Sequence, residues 1–283
     1  MNEFLNLLEQ VLKSYNINQN PQDFVMLFSL AFARYAAFVN TVPFLGGQSV
    51  PSRIKVAFAA ALVLITFPSL TNEISSENSM QIGAVTYFFL IIKEFFVGYT
   101  LGFVASAVFE AIQSAGRIID IQRGASMSEM LSQTVQEKVS EIGLLKLQLS
   151  ISIFFAVGFH RYFISALILS FEYIPATKFV NLQTSMMTNV DFFTNLFGQI
   201  FAISIQLSLP IIISLLLTDL FFGMLNRVAP QANVFFLSMP VKMTVGIFVL
   251  ILSLSFMVER YKFYFFENYK EFEIILRNLT LSN

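Results

Sequence analysis

Apolar residues in this chain come in long blocks, at 24–44, 54–70, 82–109, 142–174, 192–225 and 234–257, with short polar stretches between them. About 20 apolar residues in helical form cross roughly 30 Å of hydrocarbon. The pattern therefore predicts an all-α, multi-helix membrane protein of long helical hairpins, forming one domain over residues 1–283.

The block boundaries carry helix-ending and helix-starting chemistry. Asn20, Pro21 and Asp23 supply an N-cap, a proline at the first helical position and an acid in the first turn. Gly46, Gly47 and Pro51 break the chain after the first block, and Ala229-Pro230-Gln231 breaks the fifth from the sixth. The third block has no breaker at its end and passes directly into a polar helix.

Two flanking pieces differ from the blocks. In residues 1–20, Phe4, Leu5, Leu8, Leu12 and Tyr15 recur at helical spacing opposite Glu3, Glu9 and Lys13, which predicts an amphipathic helix docked on the chain's own apolar surface. These residues lack a basic start followed by a clean apolar run, so insertion is expected through the internal helices. From Glu259 to residue 283 the chain reads as a charged, aromatic tail.

Composition narrows the class. The chain is 56% hydrophobic and 12% charged, against about 25% charged in soluble domains, so a soluble globule could not hide its apolar surface. It has no cysteine, which excludes thiol catalysis, disulfides and thiolate metal sites, and its net charge of -1 gives nucleic acid no cationic surface.

Basic residues should mark the cytoplasmic loops. Arg53 with Lys55, Arg117 with Arg123, and Arg227 put alternate loops there and both termini outside, yet Arg260, Lys262, Lys270 and Arg277 draw the tail to the cytoplasm. Either one apolar segment is a re-entrant hairpin or the number of crossings is not six.

Arg34, Lys93, Glu94, Lys146, His160, Arg161, Asp219 and Lys242 lie within or against the apolar blocks. Each would cost several kcal/mol facing lipid. They either line a water-filled path, as in a small-solute or ion transporter, or are buried against partner subunits. Lys93 and Glu94, being adjacent, point in different directions and are not expected to pair with each other.

Gly98, Gly102 and Ser106 form a strip of small residues on which another helix can pack, from this chain or from another subunit. Beyond it, Glu110, Gln113, Arg117 and Asp120 follow at i, i+3, i+7 and i+10. That spacing is either a polar seam or a solvated face held by pairs such as Arg117 with Asp120.

Nucleotide-binding loops, HExxH, EF-hand and dinucleotide patterns are all absent from the sequence. His160 could serve only a Ser–His hydrolase, and no nucleophile-elbow glycines surround any serine. Its neighbour Arg161 disfavours a protonated imidazole, so His160 is expected to be a hydrogen-bonded structural residue. Catalytic residues, cofactors and metals are not expected.

Two stretches carry a resemblance: AGRIIDIQRGASMSEMLSQ, 115–133, and NRVAPQANVFFLSMPVKMTVG, 226–246. Both resemble the T subunit of type III secretion export apparatuses (SctT, also YscT, SpaR or HrcT), a family related to flagellar FliR. PFLGGQSVPSRIK, 43–55, fits the family's early loop, and the resemblance extends over nearly the whole chain. The run from Asp120 to Met127 looks like the secretion rather than the flagellar branch.

The resemblance implies a non-enzymatic core subunit of an export gate in the bacterial inner membrane. It implies a helical hetero-oligomeric cone with R and S subunits (SctR, SctS), partly raised to the periplasmic level, above the large V subunit (SctV), with membrane lipid around it and exported proteins in transit. It also implies a pore plug at residues 123–133. Arg123, Gly124, Ala125, Ser126, Met127, Met130 and Leu131 then become plug residues, small flexible groups followed by adaptable apolar ones. Gly98, Gly102, Ser106, Arg117, Asp120, Pro230 and Lys242 become helix-packing or subunit-interface residues.

Overall fold

The structure, a computed structural model, describes residues 21–47, 50–74, 83–124, 140–179, 182–231 and 233–280. Among these residues the chain is built of helices with no strand. In order they are α1 (Pro21–Thr41), α2 (Pro43–Gly46), α3 (Ser52–Ile74), α4 (Ala84–Arg123), α5 (Glu141–Val157), α6 (Phe159–Tyr173), α7 (Leu182–Val228) and α8 (Val234–Thr280). The amphipathic helix expected over residues 1–20 lies outside the described residues.

Among the described residues, four helical stretches are long and apolar enough to cross a membrane: Asp23–Thr41, Ala84–Arg123, Asn189–Val228 and Val234–Asn278. The expected block 142–174 is instead two helices, α5 and α6, which together make a broken span or a re-entrant pair. The cause is Gly158, which adopts φ 84°, a left-handed conformation open to glycine, and donates its N–H back to Phe154 and Phe155.

Helix α4 runs without interruption from the apolar third block into the polar stretch, as the missing breaker predicts. It ends at Gly124, φ 78°. The charged tail expected from Glu259 is a continuation of α8 to Thr280. Tyr261, Phe265, Phe272, Ile275 and Leu276 are buried there at helical spacing, an amphipathic stripe that average hydropathy conceals.

The Cα packing divides into two compact units whose segments interleave along the sequence. One comprises residues 1–106, 162–190 and 271–283. Its centre is aromatic: Phe163 packs edge-on against Phe44 and Phe272, and Tyr35 against Phe171. Tyr35 also donates its hydroxyl to Thr66 on α3 at 3.1 Å.

The other unit comprises residues 107–161 and 191–270. Phe109, Phe154 and Phe265 meet there with ring centroids 5.2–5.3 Å apart, the separation favoured for aromatic clusters. Ala111, Ile112, Ala115 and Ile119 of α4 and Ile211 and Leu215 of α7 are fully buried around them.

Candidate functional site

Two polar assemblies stand out against this apolar packing, one in each unit. The first starts from Arg34 on α1 and Glu94 on α4, both fully buried. The Arg34 guanidinium donates to Glu94 through Nε at 2.5 Å and Nη2 at 3.0 Å, to Ser170 Oγ at 3.0 Å and to the Ile174 carbonyl at 2.7 Å. It also stacks on the Phe171 ring at 3.8 Å. A two-pronged contact with a carboxylate is what the planar guanidinium fork favours.

Lys93 extends the same assembly. Its ammonium donates to the carbonyls of Pro175, Ala176 and Lys178 at 2.9, 3.1 and 2.9 Å. It also lies 2.6 Å from Glu94 Oε1. The expectation that Lys93 and Glu94 would not pair is therefore corrected: the flexible lysine stem lets its head turn back to its neighbour's carboxylate. The carbonyls of the segment that follows α6, at Ile174, Pro175, Ala176 and Lys178, are thus taken by two cations.

The strip of small residues lies on the same face of α4. Gly98 and Gly102 follow Glu94 by one and two turns and are occupied by the chain's own α1. A Cβ at Gly98 would fall onto the Arg34 carbonyl, and one at Gly102 would stand 2.8 Å from Thr41 Cβ. Ser106 is buried and donates to the Phe103 carbonyl at 2.8 Å.

The second assembly centres on Asp120, near the C-terminal end of α4. One carboxylate oxygen is paired with Arg123 Nη2. The other accepts from Ser140 Oγ at 2.6 Å and from the Ile142 backbone N–H at 3.0 Å. Ser140 is at the same time the N-cap of α5, accepting from Gly143 N at 2.9 Å. The two helices touch backbone to backbone alongside: a Cβ on Gly116 would fall onto the main chain of Gly143.

Of the two readings of the Glu110–Asp120 spacing, the one that pairs Arg117 with Asp120 is not what the structure shows, since Asp120 pairs with Arg123. Arg117 and Glu110, seven residues apart, share an exposed face, whereas Gln113 and Asp120 share the inward one. Arg123 is the cation that reaches inward, buried beside Gly246 of α8, where an added Cβ would stand 2.9 Å from Arg123 Cδ. Its Nε has no hydrogen-bond partner among the described residues.

One turn of contacts further, Lys242 on α8 pairs with Asp219 on α7, and Gln122 Nε2 lies 3.5 Å from Asp219 Oδ2. Pro230 sits in the turn between α7 and α8. An open cavity of about 540 Å³ lies there, lined by Phe222, Asn226, Pro230, Gln231, Asn233 and Ser238 among others.

His160 Nδ1 is buried without a hydrogen-bond partner among the described residues, and the ring packs 5.0 Å from Phe155. Among the described residues no group of three or more His, Cys, Asp or Glu side chains could hold a metal.

Of the plug residues expected from the sequence, Arg123 and Gly124 are at the end of α4. Ala125, Ser126, Met127, Met130 and Leu131 lie outside the described residues. Sequence reasoning missed Ser140, although a serine followed by Glu141 is a legible helix start. It also missed the Gly116–Gly143 contact, which no local pattern announces.

Two charged assemblies, each closed by partners within its own unit, and long apolar helices describe an integral membrane protein. Residues 25–267 match the family of bacterial export proteins, family 1, and the chain belongs to that family. It is 32% identical to the Yop proteins translocation protein T of Yersinia pestis, over 81% of this chain and 85% of that protein. It is 31% identical to the flagellar biosynthetic protein FliR of Bacillus subtilis, over 82% and 88%. It is 29% identical to the secretion system apparatus protein SsaT of Salmonella typhimurium, over 88% and 96%.

Proposed function

We propose that this chain is a non-enzymatic core subunit of a type III secretion export gate, forming part of the protein-conducting pore and contributing a plug from residues 123–133. Family membership and the secretion and flagellar relatives place it among export-apparatus proteins. The Asp120–Met127 run favours the secretion branch.

The observation that carries a multi-subunit gate is the length of exposed apolar surface on α7. Large apolar side chains stay exposed there from Phe197 to Met224, about 40 Å at 1.5 Å per residue, before the exposed Asn226 and Arg227. Hydrocarbon covers about 30 Å, and a tilt of about 42° would be needed to hide the rest, beyond the roughly 40° seen in membrane helices. On α8 the stripe from Phe235 to Phe256, about 32 Å, ends before the exposed Glu259 and Arg260. Partner subunits, SctR and SctS, cover the remainder in this reading. SctV lies below, and the assembly sits in the inner membrane, partly raised toward the periplasm.

A transporter reading drew on the buried charges. Arg34, Lys93 and Glu94 are consumed by their own unit's carbonyls and by one another, which favours the gate. Co-expression with SctR and SctS followed by detergent purification tests the assignment. The chain should co-purify with both, and deleting residues 124–130 should leave assembly intact while the reconstituted complex leaks ions. A chain that remains a well-behaved monomer alone, or an unchanged conductance in the deletion, refutes the gate and the plug respectively.

A further inference from the structure

We infer that Asp120 is the positioning residue that holds together the two helix ends bounding residues 125–139, an inference that rests on the plug reading above. One carboxylate serves both ends. On the leading side it pairs with Arg123, at the last turn of α4. On the returning side it accepts from Ser140 Oγ and Ile142 N, at the N-cap and first turn of α5.

The neighbouring packing makes this a fixed point rather than an incidental contact. Gly116 and Gly143 bring the two backbones into direct contact, and Asp120 is one helical turn beyond Gly116. Asp120 is 7% exposed and Arg123 6%. Each needs the other, because an unpaired ion at that burial is strongly unfavourable. The bonds have unequal roles: Ser140 and Ile142 join α5 to α4, whereas Arg123 supplies charge compensation within α4 itself. Removing Asp120 breaks both, and removing Arg123 leaves the interhelical pair of hydrogen bonds in place.

The chain lacks cysteine, so single labelling sites can be introduced cleanly. Ile121, 68% exposed, and Glu141, also exposed, are changed to cysteine and spin-labelled in the co-expressed gate complex. Interlabel distances and the leak conductance of the reconstituted complex are then measured together. The unaltered latch should give a narrow distance distribution.

Asp120→Ala should broaden the distribution and raise the leak by about tenfold or more, the least shift in a two-state equilibrium expected on losing two hydrogen bonds to a carboxylate. Glu110→Gln, on the exposed face of α4, should keep the distribution narrow and the leak low. If Asp120→Ala fails to co-purify, Asp120→Asn and Ser140→Ala take its place, each expected to broaden the distribution. A narrow distribution in all the Asp120 and Ser140 variants overturns the inference. So does a broad distribution without a leak when deletion of 124–130 does leak. If that deletion is itself silent, the plug reading fails first and the inference falls with it.

Discussion

Gly98 lies against the main chain of Arg34 so closely that a methyl group on it would land on the Arg34 carbonyl. The obstacle is backbone, which cannot rotate away. Gly98→Val is therefore expected to destabilise the detergent-solubilised protein by about 3 kcal/mol, the upper part of the range for overpacking. Gly198 has nothing within 4 Å of the same added atom. Gly198→Ala should be neutral or stabilising by about 0.5–1 kcal/mol, since glycine inside a helix carries an entropic penalty. Thermal melts of the two variants side by side check the contrast, and equal losses would show that the α1–α4 contact has no special tightness.

Arg34 and Glu94 form a fully buried pair. Removing Glu94 strands the Arg34 guanidinium, whereas removing both leaves only the Lys93 ammonium, which keeps its three carbonyls. Arg34→Ala or Glu94→Ala alone should lose about 3–5 kcal/mol, and Arg34→Met with Glu94→Leu should recover most of it. Folded yield and melting temperature measure both. An additive double variant would mean that the two side chains act independently.

Lys146 is 1% exposed, and its ammonium donates to the Leu207 carbonyl at 3.4 Å. No carboxylate among the described residues is paired with it. Lys146→Met keeps the stem and removes the charge, so the melting temperature should hold or rise. A fall of several degrees would show that the ammonium contributes to folding in a way the single contact does not explain.

The helices were legible because their apolar blocks exceed the length of any soluble alternative, and the uninterrupted α4 followed from the absence of proline and of any paired glycines between Ala84 and Arg123. Gly158 was visible inside its block, but a lone glycine does not reveal a left-handed φ. The end of α8 was hidden for a different reason. Average hydropathy falls after Met257, while the buried positions Tyr261, Phe265, Phe272 and Leu276 keep the helical period. At the candidate site, the inward charge could not be chosen from i,i+3 spacing, since Asp120 has Arg117 behind it and Arg123 ahead. Only the rotation of α4, with Arg117 outward, decides between them.

Arg34 finds its donated bonds at Glu94, Ser170 and Ile174, which lie 60, 136 and 140 residues downstream. Ribosomes add about 5–20 residues per second, so α1 exists for roughly 3–12 s before its counter-ion has been synthesised. During biogenesis the first helix is thus a membrane segment with an unneutralised cation at its centre. It becomes a settled part of the bilayer only when the fourth helix arrives, which makes insertion of the amino-terminal half a joint event rather than a sequence of independent ones.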